Sequence, residues 1–215
     1  DFSFGSSFNL QEQFVLETRP LQLSLYLQDD WKPNPLIDAR IGLRSIYFSE
    51  GRCQMFEPRL TLSYALRPSF KTKIATGIYH QYLQLVTSEG FGGGDFWVPL
   101  DETVRPGKSV QFVTGFEWDP NSSYFLSLEG YYTGLSRLVI IDTENVVDIE
   151  KPRSKDIFKT EGTGYATGVE LFIEKRKGNS RGWLGYTLGW TRRQFNQIDG
   201  GRSFPPKYDR RHNIS

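Results

Sequence analysis

LQLSLYLQDDW, residues 21–31, decides the fold. Leu21, Leu23, Leu25, Leu27 and Trp31 fall on one face of an extended chain, and Gln22, Ser24, Tyr26, Gln28 and Asp30 on the other. A period of two is the mark of a β-strand with one apolar and one polar face. The pattern recurs roughly eight times along the chain. The spacing predicts strands over 21–32, 38–48, 57–66, 70–81, 109–118, 123–133 (with an extension through 138–141), 164–176 and 181–193. Residues 1–19 read as the tail of one strand and a loop.

The connections read as two kinds in alternation. Lys32-Pro33-Asn34-Pro35, Arg67-Pro68-Ser69, Asp119-Pro120-Asn121-Ser122 and Lys177-Gly178-Asn179 are short and carry the residues that tight turns need. The others, over 49–56, 82–108, from the sixth strand to about 162, and the Gly/Pro-rich stretch through Gly200, Gly201, Pro205 and Pro206, read as long. A barrel crossing an outer membrane sorts its connections this way, with short turns on one side and long loops on the other. About ten tilted residues span the apolar layer. A soluble β-sandwich has no reason to sort them.

Composition agrees and removes other classes. Aromatic residues make up 15% of 215, and Trp31, Phe70, Trp118 and Tyr124 sit beside the short turns, where one interfacial girdle would collect them. Mean hydropathy is −0.47 and no run reaches the length of a membrane helix, which a barrel does not need, because only alternate residues face lipid. The net charge of +1 gives no basic surplus for nucleic acid. A single cysteine, Cys53, and two histidines, His80 and His212, offer little to a His/Cys metal site. No phosphate loop or nucleophile triad is spaced in the chain. The reading is therefore a non-enzyme with no catalytic residue, no metal and no cofactor.

The polar faces carry Arg40, Arg44, Glu129 and Glu170, expected to face a wet lumen. Gly42, Gly77, Gly115, Gly168, Gly185 and Gly189 share that face. They make room either for a second domain inside the barrel or for crowded side chains on a curved sheet. In the loop over 82–108, Phe91, Phe96 and Trp97 are the ligand-binding candidates, since their rings could stack on a ligand; packing of the loop on itself is the other use for them.

Several segments resemble the TonB-dependent outer-membrane receptors. GTGYATGVELFIEKR (Gly162–Arg176) is similar to that family's motif before a mid-barrel strand, and LQDDW at the end of Leu21–Trp31 to its YxQDxW strand. Glu57-Pro58-Arg59-Leu60 resembles a strand opening after a surface loop. GKSVQFVTGFEW followed by SYFLSLEGYYTGL is similar to a barrel hairpin, and FPPKYDRRHNIS (Phe204–Ser215) to a late loop-to-strand entry. The resemblance implies an all-β, antiparallel up-and-down transmembrane barrel of about 22 strands. Residues 1–215 would be one partial barrel domain, about eight to ten strands of the larger wall.

It also implies a bacterial outer-membrane location, contact with outer-membrane lipid, and a plug domain of the same full-length protein. Energy would come from an inner-membrane TonB complex acting through a missing N-terminal part. The cargo would be a small-molecule nutrient such as a siderophore, cobalamin or a glycan. A passive porin-like barrel and a soluble β-sandwich binding module are the alternatives. The reading frame upstream of Asp1 is expected to encode a plug and a signal peptide.

The alternation makes a direct prediction. A cysteine placed at Leu23 should resist a water-soluble thiol reagent in intact membranes, while one at Gln22 should react. The opposite pattern would count against a barrel.

Overall fold

The computed structural model describes residues 19–86, 96–141 and 158–215. The strands are β1 (Gln22–Asn34), β2 (Ile37–Phe48), β3 (Cys53–Arg67), β4 (Phe70–Gln81), β5 (Leu83–Val86), β6 (Phe96–Pro99), β7 (Gly107–Asn121), β8 (Tyr124–Ile141), β9 (Phe158–Lys175), β10 (Gly182–Gln194) and β11 (His212–Ile214). Nine of them form one sheet in the order β1-β2-β3-β4-β7-β8-β9-β10-β11, and β5 and β6 pair separately. Every pairing is antiparallel between neighbours in the chain, apart from the β5–β6 insertion between β4 and β7. No α-helix occurs among the described residues. This is the all-β, up-and-down wall that the alternation predicts, open at both edges.

The short turns form where Pro, Asn and Gly lie. Asn34 Oδ1 accepts the N–H groups of Leu36 at 2.9 Å and Ile37 at 3.1 Å. Asn121 Oδ1 accepts that of Ser123 at 2.9 Å. Gly178, at φ 109°, supplies the left-handed residue of the β9–β10 turn. One connection differs from the expectation. The loop expected over 49–56 is a tight turn over 49–52, closed by Arg52 N–H donating to Ser49 O at 3.1 Å, and β3 begins at Cys53 rather than Glu57. β8 and β9 also run on to Ile141 and back from Phe158, so described residues expected in the long loop after the sixth strand are strand.

Register carries each face across the sheet. One row runs Ile41, Leu60, Thr76, Phe112, Tyr132, Thr167, Trp190. Neighbouring rows on this face hold Leu25, Leu27, Leu43, Leu62, Ile74, Phe116 and Val169, all exposed. Each large apolar side chain left in water forgoes about 1.5–3 kcal/mol of burial, so this face calls for an apolar surrounding. Five outward positions, such as 56, 58, 60, 62 and 64, span about 26 Å along a strand. Tilted by about 40°, they rise about 20 Å and lie within an apolar band about 25 Å tall. Trp31, Phe70, Trp118 and Tyr124 lie on this face at the short-turn end, with Phe70 directly opposite Trp118. Asp29 is an exception, a carboxylate on the apolar face between Leu27 and Trp31. It lies near the girdle, where such a group costs little.

The opposite face carries Arg40, Arg44, Glu129 and Glu170 by register. Its glycines are filled largely by the sheet itself. A Cβ on Gly168 would lie 2.7 Å from Tyr131 Oη and 2.5 Å from Leu188 O, and one on Gly189 would lie 2.9 Å from the same Tyr131 Oη. The Tyr131 side chain therefore crosses β9 and β10. A Cβ on Gly115 would meet Glu129 Cγ at 2.7 Å, whereas Gly42 has nothing closer than Leu27 O at 3.6 Å. Crowding within the sheet accounts for Gly115, Gly168 and Gly189 without a second domain.

Gly168→Val should therefore destabilise the intact protein by about 1–3 kcal/mol, because backbone and ring must both shift. Gly42→Ala should be nearly silent. Denaturant unfolding of both variants checks this, and equal midpoints would refute it.

Candidate functional site

The polar face changes character along the strands. Near the short turns it is a set of ion pairs: Arg40 with Asp30 at 2.5 Å, Lys73 with Glu117, and Arg176 with both Asp119 at 2.9 Å and Glu174 at 2.8 Å. Arg44 Nη2 donates to Ser24 Oγ at 3.3 Å. Glu129 stands opposite Glu170 across β8 and β9. Above Arg44 and Glu57 the same face turns apolar. Ile46, Phe48 and Tyr82 form a buried cluster, with Cys53 and Met55 packed against it. The Phe48 and Tyr82 rings lie 5.1 Å apart.

A split in the sheet underlies this change. The β3–β4 ladder stops at Arg59–Gly77, although β3 continues to Cys53 and β4 to Gln81. Glu57 fills the gap, with its side chain only 3% exposed. Its Oε1 accepts the His80 backbone N–H at 2.7 Å, taking the place of a ladder carbonyl. Arg59 Nη2 lies 3.4 Å from Glu57 Oε2, and the Arg59 guanidinium sits 5.0 Å from the centre of the Tyr79 ring. These contacts offset the cost of burying a carboxylate.

The segment over 96–107 closes this end. Leu100 N–H donates to Tyr82 O at 3.0 Å, and Leu100 and Val104 are buried. Asp101 Oδ1 accepts the Thr103 N–H at 2.8 Å and its hydroxyl at 2.5 Å, and Glu102 pairs with Arg52 at 3.3 Å. The insertion thus leans back over the β2–β3 turn. Burial, and then the negative charge of Glu57, push the Tyr82 phenol above the ordinary tyrosine range. It stays neutral at physiological pH.

An open cleft of about 290 Å³ remains, and Arg44, Glu57, Tyr79, His80, Gln81 and Trp97 are among its lining residues. Of the residues singled out in the sequence, it brings together Arg44 and Trp97. Trp97 pairs with Leu85 in the β5–β6 hairpin and is 60% exposed. Phe96 opens β6 opposite Val86, and Phe91 lies outside the described residues. Arg40, Glu129 and Glu170 share the polar face without lining this cleft. Glu57, Tyr79, His80 and Tyr82 were not legible as cleft residues. The one signal is that 79–82, Tyr-His-Gln-Tyr, lacks the apolar alternation of the rest of β4. The arrangement can do recognition: the exposed Trp97 indole for stacking, and the Arg44 guanidinium and the Gln22 and Gln81 amides for hydrogen bonds. Among the described residues no group of three or more His, Cys, Asp or Glu could hold a metal ion.

Glu57→Ala should destabilise this end by about 1–3 kcal/mol and speed hydrogen exchange at the His80 amide. Glu57→Gln, which keeps an acceptor oxygen, should retain most of that protection. Exchange at His80 unchanged in Glu57→Ala would refute the assignment.

No protein-family model matches the chain, and no curated protein sequence matches it. Solved structures do. The siderophore receptor PirA from Acinetobacter baumannii aligns with TM-score 0.59 and 14% identity over 84% of this chain and 32% of that one. The ferric-catecholate import receptor Fiu from E. coli K12 aligns with TM-score 0.65 and 12% identity over 91% and 31%. The alcaligin outer-membrane receptor FauA from Bordetella pertussis aligns with TM-score 0.64 and 13% identity over 91% and 33%. The chain thus spans about a third of the length of these proteins. At these identities the likeness establishes the fold, a stretch of the barrel wall that such receptors have.

Proposed function

We propose that this chain is part of the wall of an outer-membrane receptor that takes up a scarce nutrient with energy supplied from the inner membrane. The observation that carries the membrane location is the apolar face. Exposed Leu, Ile, Val, Phe, Tyr and Trp side chains recur in rows across the sheet, with only Thr and small residues between them, and among the described residues no second sheet covers them. That favours a lipid-facing wall over a sandwich, whose two sheets would bury those rows against each other. The polar face, with Arg40, Arg44, Glu129 and Glu170, then lines the lumen.

Three features support a receptor rather than a passive pore. The resemblance of Gly162–Arg176, Leu21–Trp31 and the other segments is to TonB-dependent receptors. The fold is shared with structures named as siderophore and iron receptors. The insertion between β4 and β7 covers the wall's end and presents Trp97 over a cleft. In this reading the cleft and its flanking loops capture the ligand, Phe91 and Phe96 add aromatic surface, and a plug domain inside the barrel releases it when the TonB complex acts. The cargo belongs to the siderophore, cobalamin or glycan class, and the reaction is transport without covalent chemistry.

Growth and uptake measurements separate the readings. A strain lacking the gene should lose uptake of one nutrient class, supplied as ferric siderophores, cobalamin or oligosaccharides in turn. In the wild type that uptake should stop when an uncoupler collapses the proton gradient. Uptake that survives the uncoupler would make the protein a passive pore. Trp97→Ala should weaken ligand binding by about tenfold, the upper range of one aromatic contact.

A further inference from the structure

The short-turn end of the wall carries cations that have no carboxylate partner among the described residues. Four carboxylates there are engaged: Asp38 by Lys32 at 3.0 Å, Glu117 by Lys73, and Asp119 and Glu174 by Arg176. The β9–β10 connection reads Lys175-Arg176-Lys177-Gly178-Asn179-Ser180-Arg181, with four cations in seven positions. It is the longest connection at that end, and the other three leave only two residues between paired strand ends. Lys175 Nζ reaches only a hydroxyl, Ser180 Oγ at 2.9 Å. Lys177 and Arg181 are exposed and have no carboxylate partner among the described residues. The same holds for Arg67 at the β3–β4 turn.

Their placement selects the partner. By register Arg67 stands opposite Phe70, which stands opposite Trp118, and Lys175 stands opposite Tyr124. These are girdle aromatics on the apolar face. A cation beside an interfacial ring, at the edge of a lipid-facing band, lies at headgroup depth. Free anions in solution would not require that row of rings. We infer that Arg67, Lys175, Lys177 and Arg181 form a rim that binds the phosphates of anionic phospholipid headgroups in the leaflet on the short-turn side. This rests on the membrane-wall reading above. Arg176 takes no part, because its guanidinium is held by Asp119 and Glu174 and lies 4.6 Å from the centre of the Phe125 ring. A cation near an anionic surface gains roughly fivefold in affinity.

Quenching of tryptophan fluorescence by brominated lipids tests the rim in the intact protein reconstituted into vesicles. Brominated phosphatidylglycerol should outcompete brominated phosphatidylcholine by several-fold, and added sodium chloride should erode the preference. The variant Arg67→Gln/Lys177→Gln/Arg181→Gln should be quenched by phosphatidylcholine as before but lose most of the preference. Equal quenching by both lipids in the wild type would overturn the rim while leaving the membrane reading in place. A preference that survives the triple variant would overturn its assignment to these residues. Absence of quenching by either lipid would sink both readings.

Discussion

The continuous antiparallel ladder is the constraint on which everything else here depends. Each central strand from β2 to β10 in the main sheet is hydrogen-bonded to a neighbour on both sides. In such a ladder the side-chain period is fixed at two, so register alone assigns every residue to a face. A wall of this kind needs no packed core across its middle. The described residues show few fully buried side chains, and apart from Ala39 these are collected at the long-loop end, among them Ile46, Phe48, Tyr82, Leu100, Phe158 and Phe195. Stability across the band must come from ladder bonds, cross-strand pairs and the medium on the apolar side.

Where the ladder is interrupted, the chain substitutes for it. Between β3 and β4 the carboxylate of Glu57 takes the amide that a backbone carbonyl would otherwise have accepted. Buried polar groups persist when they are paired, and Glu57 has both the His80 amide and Arg59 beside it. The split makes room for the apolar cluster under the β5–β6 insertion. Cleft, cluster and insertion are therefore one unit, positioned by the same break in the sheet.

Most of the wall was legible because alternation is a local signal. The faces of all eight long strands follow from it, and β4 has the bounds that the pattern predicts, Phe70–Gln81. The failure at 49–56 has a physical reason. Ile46, Phe48, Cys53 and Met55 lie on the polar face, where Ile46 and Phe48 are buried with Tyr82 and Cys53 and Met55 pack against them, so the apolar residues change sides just where the strand was being traced. A rule that expects apolar residues to stay on one face reads Cys53–Phe56 as loop. The cleft was only half legible. Arg44 and Trp97 declare themselves by charge and ring, but burial of Glu57 depends on a gap between strands that no single-strand pattern encodes.

Tyr131 lying across Gly168 and Gly189 has a consequence for fidelity of assembly. A one-residue slip of β9 or β10 would bring a side-chain-bearing neighbour, such as Val169 or Leu188, under the ring and would turn every later residue of that strand to the wrong face. The two hollows accept the ring in one alignment only. Three strands are thereby held to a common frame by a single phenol, as a key is held by its wards. A sheet built mostly from interchangeable alternation acquires one place at which alternatives are not equivalent.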